Sequence, residues 1–323
     1  MTALATCWAI SDGAAGNERQ AVALARALGL MPRVLQVSLH QPWAALSPRL
    51  TFGAASAIRA CDGSVIAAPW PSLAIGCGRR AALLTRLLRD WSAGQTQTIQ
   101  ILDPRISSAH FDFVITPQHD AKSGDNVIRT IGALNPVDEE WLAAGRTRFE
   151  HFASHATPRN GVLVGASNRA QRIDDDYCDG LLAHCRSLHA SEGGSFLVTV
   201  SRRTPLTTTA RLRHAFAQLP GLFWAGSDDG DNPYAGILAW SDRLIVTPDS
   251  VNMISEACAS GPPVWTYAPR PIVGKLARFH SKLIGAGHLR VVGSSDSRAT
   301  AGPLRETAAV AELILELRRR QHP

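Results

Sequence analysis

The sequence predicts an α/β fold in which two Rossmann-like domains face a cleft, and three observations predict it. Short apolar runs alternate with helical patterns along the chain, as strands joined by crossover helices do. The rhythm restarts after a polar passage, Ser154 to Asn160, that contains Pro158. Polar and charged residues gather directly after the apolar runs, where open parallel sheets bind their ligands. The 323 residues have room for two domains at about 100–200 residues each. They are placed at 1–155 and 156–323, with the last helix able to pack back on the first domain.

The first strand, Thr6 to Ile10, ends in Ser11, Asp12, Gly13, Ala14, Ala15, Gly16 and Asn17. A helix from Glu18 to Leu28 follows, with Ala21, Leu24, Ala25 and Leu28 on one face and Gly29 as its stop. Arg33 to Leu39 is the second strand, and the irregular stretch after it contains a helix over Ala54 to Ala60. Strands at Leu73–Ile75, Thr98–Leu102 and Phe113–Thr116 close on Gly78-Arg79, Asp103-Pro104-Arg105 and Gln118-His119 in turn. A helix over Val137 to Phe152 ends the first half. The second half places strands at Gly161–Val164, Phe196–Val200, Leu222–Ala225, Leu244–Val246, Val264–Tyr267 and Leu289–Val292. Helices separate them, and a last helix runs from Leu304 to Arg320.

Composition narrows the function. Hydrophobic residues make up 45% and charged residues 19%, an ordinary soluble balance. The net charge is +6, yet no basic block exceeds Arg318-Arg319-Arg320, so specific nucleic-acid binding is not indicated. An anionic small ligand or an anionic membrane surface suits such a chain better. Six cysteines without CxxC spacing, and a start that lacks a secretory pattern, read as reduced thiols in a cytoplasmic protein. No apolar run approaches the roughly 20 residues of a membrane span, so membrane contact would be peripheral, at the inner membrane.

The most informative stretch is Val246 to Val264. Asp249 or Ser250 opens a helix there, and Gly261 before Pro262 ends it. Such a helix start carries partial positive charge and seats phosphate, and Glu256 lies where it can reach a polyol beside that phosphate. Elsewhere Gly76-Cys77-Gly78-Arg79-Arg80-Ala81 matches the GxGxxA form of a dinucleotide fingerprint, with Asp103 as the ribose acid. Arg79 and Arg80 crowd the place of a pyrophosphate, so a tight strand-to-helix crossing with Arg79 turned to the cleft fits better. Asp174 to Asp176 read as acids at a helix start, and Asp228 to Asp231 lack the distal glutamate of a calcium loop, so no metal site is assigned. Neither GxSxG nor Walker A occurs. Trp43, Leu46 and Trp70 are apolar loop residues that suit either a core edge or a membrane face.

Several segments together resemble the family named after the mitochondrial fission protein of plants, the ELM1 family, which has many bacterial members. They are Trp8 to Gln20, Leu102 to Arg105, Phe111 to Asp120, Val164 to Asn168 and Val246 to Pro263. The last stretch also resembles the nucleotide-sugar site of GT-B glycosyltransferases. That resemblance implies a GT-B-like, metal-independent transferase of a hexosyl or N-acetylhexosaminyl group, with a nucleotide-diphosphate sugar as donor and no cofactor. It places the donor on Ser167, Asn168, Ser201, Arg202, Arg203, Asp249, Ser250 and Glu256, with Tyr234 near the base. Gly13, Gly16, Asn17, Arg79, Asp103 and Arg105 fall on the acceptor side, where a lipid-linked or glycan acceptor would enter. The family often carries histidine where this chain has Asn17, which leaves Asp12 and His119 as candidate general bases. Two alternatives stand beside this reading: a non-catalytic GT-B-like interaction scaffold, and an NAD(P)-binding enzyme.

Overall fold

The structure is a computed structural model that describes residues 6–120, 122–294 and 301–321. In chain order its first elements are β1 (Cys7–Ser11), α1 (Ala15–Ala27), β2 (Pro32–Leu39), α2 (Trp43–Leu46), α3 (Ala54–Ala57), β3 (Ile58–Ala60), β4 (Leu73–Cys77) and α4 (Arg79–Trp91). Next come β5 (Gln97–Ile101), β6 (Phe113–Pro117), β7 (Val127–Thr130), α5 (Glu139–Arg148), β8 (Arg159–Val164), α6 (Asp175–Glu192), β9 (Ser195–Val200) and α7 (Leu206–Phe216). The chain finishes with β10 (Gly221–Trp224), α8 (Tyr234–Trp240), β11 (Arg243–Val246), α9 (Val251–Ser260), β12 (Val264–Thr266), α10 (Gly274–Gly285), β13 (Arg290–Val291) and α11 (Glu306–Gln321). They form two compact units, Met1–Pro136 with Glu306–Pro323, and Val137–Arg305.

The first unit holds a seven-stranded sheet in the order β3-β2-β1-β4-β5-β6-β7. Every pair is parallel except β2 with β3. Because successive side chains leave opposite faces of a strand, β1 feeds two cores. Cys7 and Ala9 join Ala21, Leu24 and Ala25 of α1 and Val310, Ala311 and Ile314 of α11. Trp8 and Ile10 join Leu83, Leu84, Leu87 and Leu88 of α4 on the other side. Burial on both faces explains why these strands read as unbroken apolar runs rather than as alternation. The second unit repeats the plan in the order β10-β9-β8-β11-β12-β13, parallel throughout. Val162, Val164, Phe196, Val198 and Val200 pack there on Tyr177, Leu181 and Leu182 of α6 and on Leu212 and Phe216 of α7.

Three elements differ from expectation. The helix expected over Ala54 to Ala60 is the single turn α3 followed by β3, because Val37, Ser38 and Leu39 of β2 pair with residues 58–60. The edge strand β7 had no sequence signal: it is four residues long, and Arg129 within it is exposed. The first unit ends at Pro136 rather than near residue 155. The reason is α5, which packs on α8 through Gly145, where a Cβ would lie 2.9 Å from the Ala235 carbonyl oxygen. Arg146 Nε donates to Ala239 O at 3.1 Å, tying the same two helices.

The chain returns to the first unit at α11. Glu306 accepts the backbone N–H groups of Ile131 and Gly132 at 2.6 Å each, and Thr307 exchanges two hydrogen bonds with Asn135. Burial raises the Glu306 carboxyl pKa, and the two N–H groups partly offset that rise.

Candidate functional site

A parallel sheet whose strand order reverses leaves a crevice outside the carboxyl ends of the two strands at the switch. In the second unit those strands are β8 and β11. The segment after β8 is Gly165-Ala166-Ser167-Asn168, and the segment after β11 is Thr247-Pro248-Asp249-Ser250.

These two turns are laced together. Gly165 N donates to Thr247 Oγ1 at 2.7 Å, and Ala166 N donates to Asp249 Oδ2 at 3.0 Å. Thr247 Oγ1 in turn donates to Asp249 Oδ1 at 2.6 Å. Asn168 Nδ2 donates to Asp249 O at 2.9 Å, and its Oδ1 accepts from Ala170 N and Gln171 N. The turn after β9 joins through Ser201 N, which donates to Val164 O at 2.7 Å, and Thr204 Oγ1, which donates to Gly165 O at 2.9 Å. Glycine is required at position 165, since a Cβ there would lie 2.2 Å from the Asp249 carboxylate oxygens. Behind the turn, His280 of α10 is buried, with Nε2 2.9 Å from Pro248 O.

Asp249 is therefore a strut and not an exposed ligand group. It is 7% exposed, and burial raises its pKa while the Thr247 and Ala166 donors pull it back down. Both of its oxygens are spent on the loops it joins, and the charge of Arg203 also helps to lower its pKa. What faces outward is cationic: Arg202 and Arg203 are exposed, and neither is within ion-pairing distance of a carboxylate among the described residues. Ser250 caps α9, its Oγ accepting from Met253 N at 3.4 Å, and Ser250 and the first turn, Val251–Met253, remain partly exposed. Ser167 and Asn168 are exposed beside them, with Ser167 Oγ exchanging hydrogen bonds with the backbone of Ile173. The edge can thus offer a helix start, two guanidinium groups and small polar side chains to an anion.

Further along α9, Glu256 is only 2% exposed, and Tyr234 at the start of α8 donates its phenolic hydroxyl to Glu256 Oε2 at 2.5 Å. The sequence singled out both residues without pairing them.

In the first unit the switch lies between β1 and β4. Asp12 follows β1, half-buried, with Oδ1 accepting from Asn17 Nδ2 at 3.0 Å and from Ala14 N at 3.3 Å. Gly13 N donates to Ser11 Oγ, and Gly16 is the second residue of α1. Gly78 follows β4 with φ +88°, and a Cβ there would lie 2.6 Å from Asn17 Nδ2. The Asn17 amide lies against that turn, so packing and positive φ account for the glycine of the GxGxxA match.

Arg79 is not turned to open space. Its guanidinium donates to the carbonyls of Ala44, Ala45 and Ser47, closing the end of α2. Asp103 is bonded to Arg105 N at 2.8 Å and lies 3.8 Å from Lys122, while Arg105 is exposed with φ +60°. His119 follows β6, three strand positions from β1, which at about 4.8 Å per strand is roughly 14 Å from the Asp12 edge. The structure thus groups Asp12 with Asn17 and leaves His119 apart from them.

The acidic runs pair with arginines. Asp174 caps α6 and is held bidentately by Arg270, whose hydrogen bonds lower its pKa to about 2. Asp229 is bonded to Arg213, and Asp231 to Arg148. No cluster of three or more His, Cys, Asp or Glu among the described residues is placed to hold a metal. Among the residues that build this site, Thr204, Thr247 and His280 received no role from the sequence. The threonines adjoin residues it named, but His280 sits on a helix with nothing local to mark it.

Residues 15–317 match the family model described as Mitochondrial fission ELM1, and the chain belongs to that family. The Mitochondrial fission protein ELM1 of Arabidopsis thaliana is 29% identical over 272 residues, covering 76% of this chain but only 63% of the plant protein. Among solved structures, the UDP-GlcNAc 2-epimerase of Methanocaldococcus jannaschii has a TM-score of 0.56 at 10% identity, covering 96% of this chain and 100% of that one. MurG of Acinetobacter baumannii has a TM-score of 0.50 at 13% identity, covering 98% and 95%. At such identities the likeness is one of fold, and that fold is GT-B-like.

Proposed function

We propose that this ELM1-family chain binds a nucleoside-diphosphate sugar at the β8–β11 switch point and transfers its sugar to an acceptor hydroxyl. The observation that carries the reading is the polarity of that edge. Its carboxylate is internalised as a strut, while Arg202, Arg203 and the start of α9 are left facing outward. A diphosphate leaving group gathers negative charge as the bond from the sugar to its oxygen breaks, and a helix start with two guanidinium groups stabilises that charge in place. Glu256 is assigned to the ribose hydroxyls. The names of the solved neighbours, a UDP-GlcNAc 2-epimerase among them, support UDP as the nucleotide to try first.

The acceptor oxygen would attack the anomeric carbon and lose its proton to a base. Of the two candidates, Asp12 is favoured, because it lies at the switch point of its own sheet and is only half-buried. An acceptor carried on a lipid fits a second feature of the first unit. Leu46, Phe52 and Val65 are 50%, 89% and 78% exposed, near a pocket of about 370 Å³ lined by Ala55, Ile58, Ile66, Trp70 and Trp91. Arg49 and Arg59 are exposed in the same segment and match an anionic lipid surface. Trp43 and Trp70 themselves belong to the core edge, with Trp70 against Trp8 and Trp91. No helix among the described residues is long and apolar enough to cross a membrane.

Calorimetric titration with UDP and GDP tests the donor assignment. Saturable binding of at least one is expected, and no heat change up to millimolar nucleotide would end the reading.

A further inference from the structure

We infer that the loop after β5, Asp103 to Ile106, is a second anion site, which takes a phosphate monoester group carried by the acceptor. Its acceptor role rests on the transfer reading above; the anion site itself does not.

Three cationic side chains converge on this loop. Arg49 Nη2 donates to Arg105 O at 3.0 Å. Lys122 Nζ donates to Ile106 O and lies 3.8 Å from Asp103 Oδ1. Arg105 supplies the third cation, exposed and with its guanidinium bonded to no group among the described residues. Asp103 is the one carboxylate paired with any of the three among the described residues, and it also accepts Arg105 N at 2.8 Å. Two positive charges are thus held on one short loop without a counter-charge, and like charges so placed repel. The backbone is not relaxed either. Leu102 and Arg105 have φ +70° and +60°, left-handed values that residues with a Cβ avoid. That conformation gives the Arg105 carbonyl to Arg49 and leaves the Arg105 side chain outside. A bound anion would relieve the repulsion, and the strained turn fixes where it sits.

The surplus charge selects the anion. A phosphate monoester carries about −1.5 to −2 near neutral pH and has three terminal oxygens to meet donors from several sides, whereas a diester carries a single charge. The loop follows β5, two strand positions from β1, roughly 10 Å from the Asp12 edge at about 4.8 Å per strand. An acceptor with its hydroxyl at Asp12 can set a phosphate here when a sugar ring or a link of similar length separates the two. Such a monoester occurs on soluble phosphate esters and on lipid head groups, and the test separates these sources.

Calorimetric titration of the full chain with glycerol 3-phosphate probes the soluble source. Co-sedimentation with phosphatidylcholine vesicles probes the lipid source, the vesicles holding either phosphatidic acid, a monoester, or the same share of phosphatidylglycerol, a diester. At least one monoester probe should bind. Arg105→Gln should weaken that binding about fivefold, while Arg203→Ala in the second unit leaves it within about twofold. The glutamine variant keeps the backbone N–H and carbonyl that Asp103 and Arg49 use. Arg105→Gly guards against a folding defect: it removes the same charge but suits the positive φ, so it should lose the same binding and melt no lower than the native chain. Saturation by glycerol 3-phosphate supports the site with a soluble acceptor, and capture by phosphatidic acid vesicles alone supports it with a lipid. Equal capture by both kinds of vesicle would show only attraction to an anionic surface and overturn the inference. Monoester binding that Arg105→Gln leaves unchanged, or binding of neither monoester probe, would overturn it too. Failure of UDP and GDP to bind removes the donor reading and leaves this site to stand or fall on the monoester result.

Discussion

At the β8–β11 switch point the acid, Asp249, is 7% exposed and spends both oxygens on its neighbours, while Arg202 and Arg203 stand outside it. At the β1–β4 switch point the acid, Asp12, is half-exposed, bonded on one oxygen to Asn17 and Ala14, and Arg79 is turned away to the carbonyls of α2. The sheets reverse in the same manner at both places. What differs is which charge is hidden. One edge hides an anion and shows cations, as an anion site needs; the other hides a cation's donors and shows a carboxylate, as a proton acceptor needs. Equal topology thus supports unlike chemistry, because the partners of two or three side chains decide the sign of each edge.

The comparison breaks most visibly through the two glycines. Gly165→Ala should cost the second unit about 3–5 kcal/mol, since its Cβ would meet a buried carboxylate that cannot retreat. Gly78→Ala should cost about 1–2 kcal/mol, because the obstacle is the Asn17 amide, which can rotate away, leaving mainly the strain of positive φ. Denaturant unfolding measures both, and equal losses would mean that Asp249 is not a rigid strut.

Charge comes next. Arg202→Ala and Arg203→Ala should each weaken UDP about tenfold, or about 1.4 kcal/mol, while Asp12→Asn should leave the UDP affinity within about twofold and abolish transfer. A twofold effect at both arginines, or loss of UDP binding in Asp12→Asn, would erase the division of roles.

A smaller effect is expected from pH. Burial lowers the pKa of His280 below its usual 6.5, with the Pro248 carbonyl partly opposing. The neutral ring belongs to the fold, so its contribution is whole above pH 6.5. Below that value the unfolded chain takes up the proton first, and stability declines until the folded pKa is reached. Between pH 7 and 5 the native protein should lose more stability than His280→Gln; parallel stability curves would refute this. The least effect belongs to the apolar segment of the first unit: Phe52→Ser should reduce co-sedimentation with anionic vesicles about threefold, and an unchanged bound fraction would remove the membrane surface from the reading.

The fold was largely legible in the sequence because strands buried on both faces leave continuous apolar runs, and parallel sheets put turn residues at one edge. What stayed hidden was short or non-local. The strands β3 and β7 are three and four residues long and sit at sheet edges, where pairing with a neighbour outweighs local propensity. At the candidate site the structure places Ser167, Asn168, Asp249 and Ser250, all named from the sequence, on adjoining turns. The sequence could not say which polar groups were already engaged. Arg79, read as an arm for a ligand, is consumed by three carbonyls more than thirty residues upstream, and no spacing rule reports such a partner.

The return of α11 gives the chain an order of completion that its numbering conceals. The first unit lacks Val310, Ala311 and Ile314 until the far end of the chain arrives, so the face of β1 that carries Cys7 and Ala9 stays partly uncovered. The second unit is continuous from Val137 to Arg305. On a ribosome the first unit therefore cannot complete that core until α11 has emerged, and part of an apolar face stays open to chaperones or to premature association while the second unit is being made.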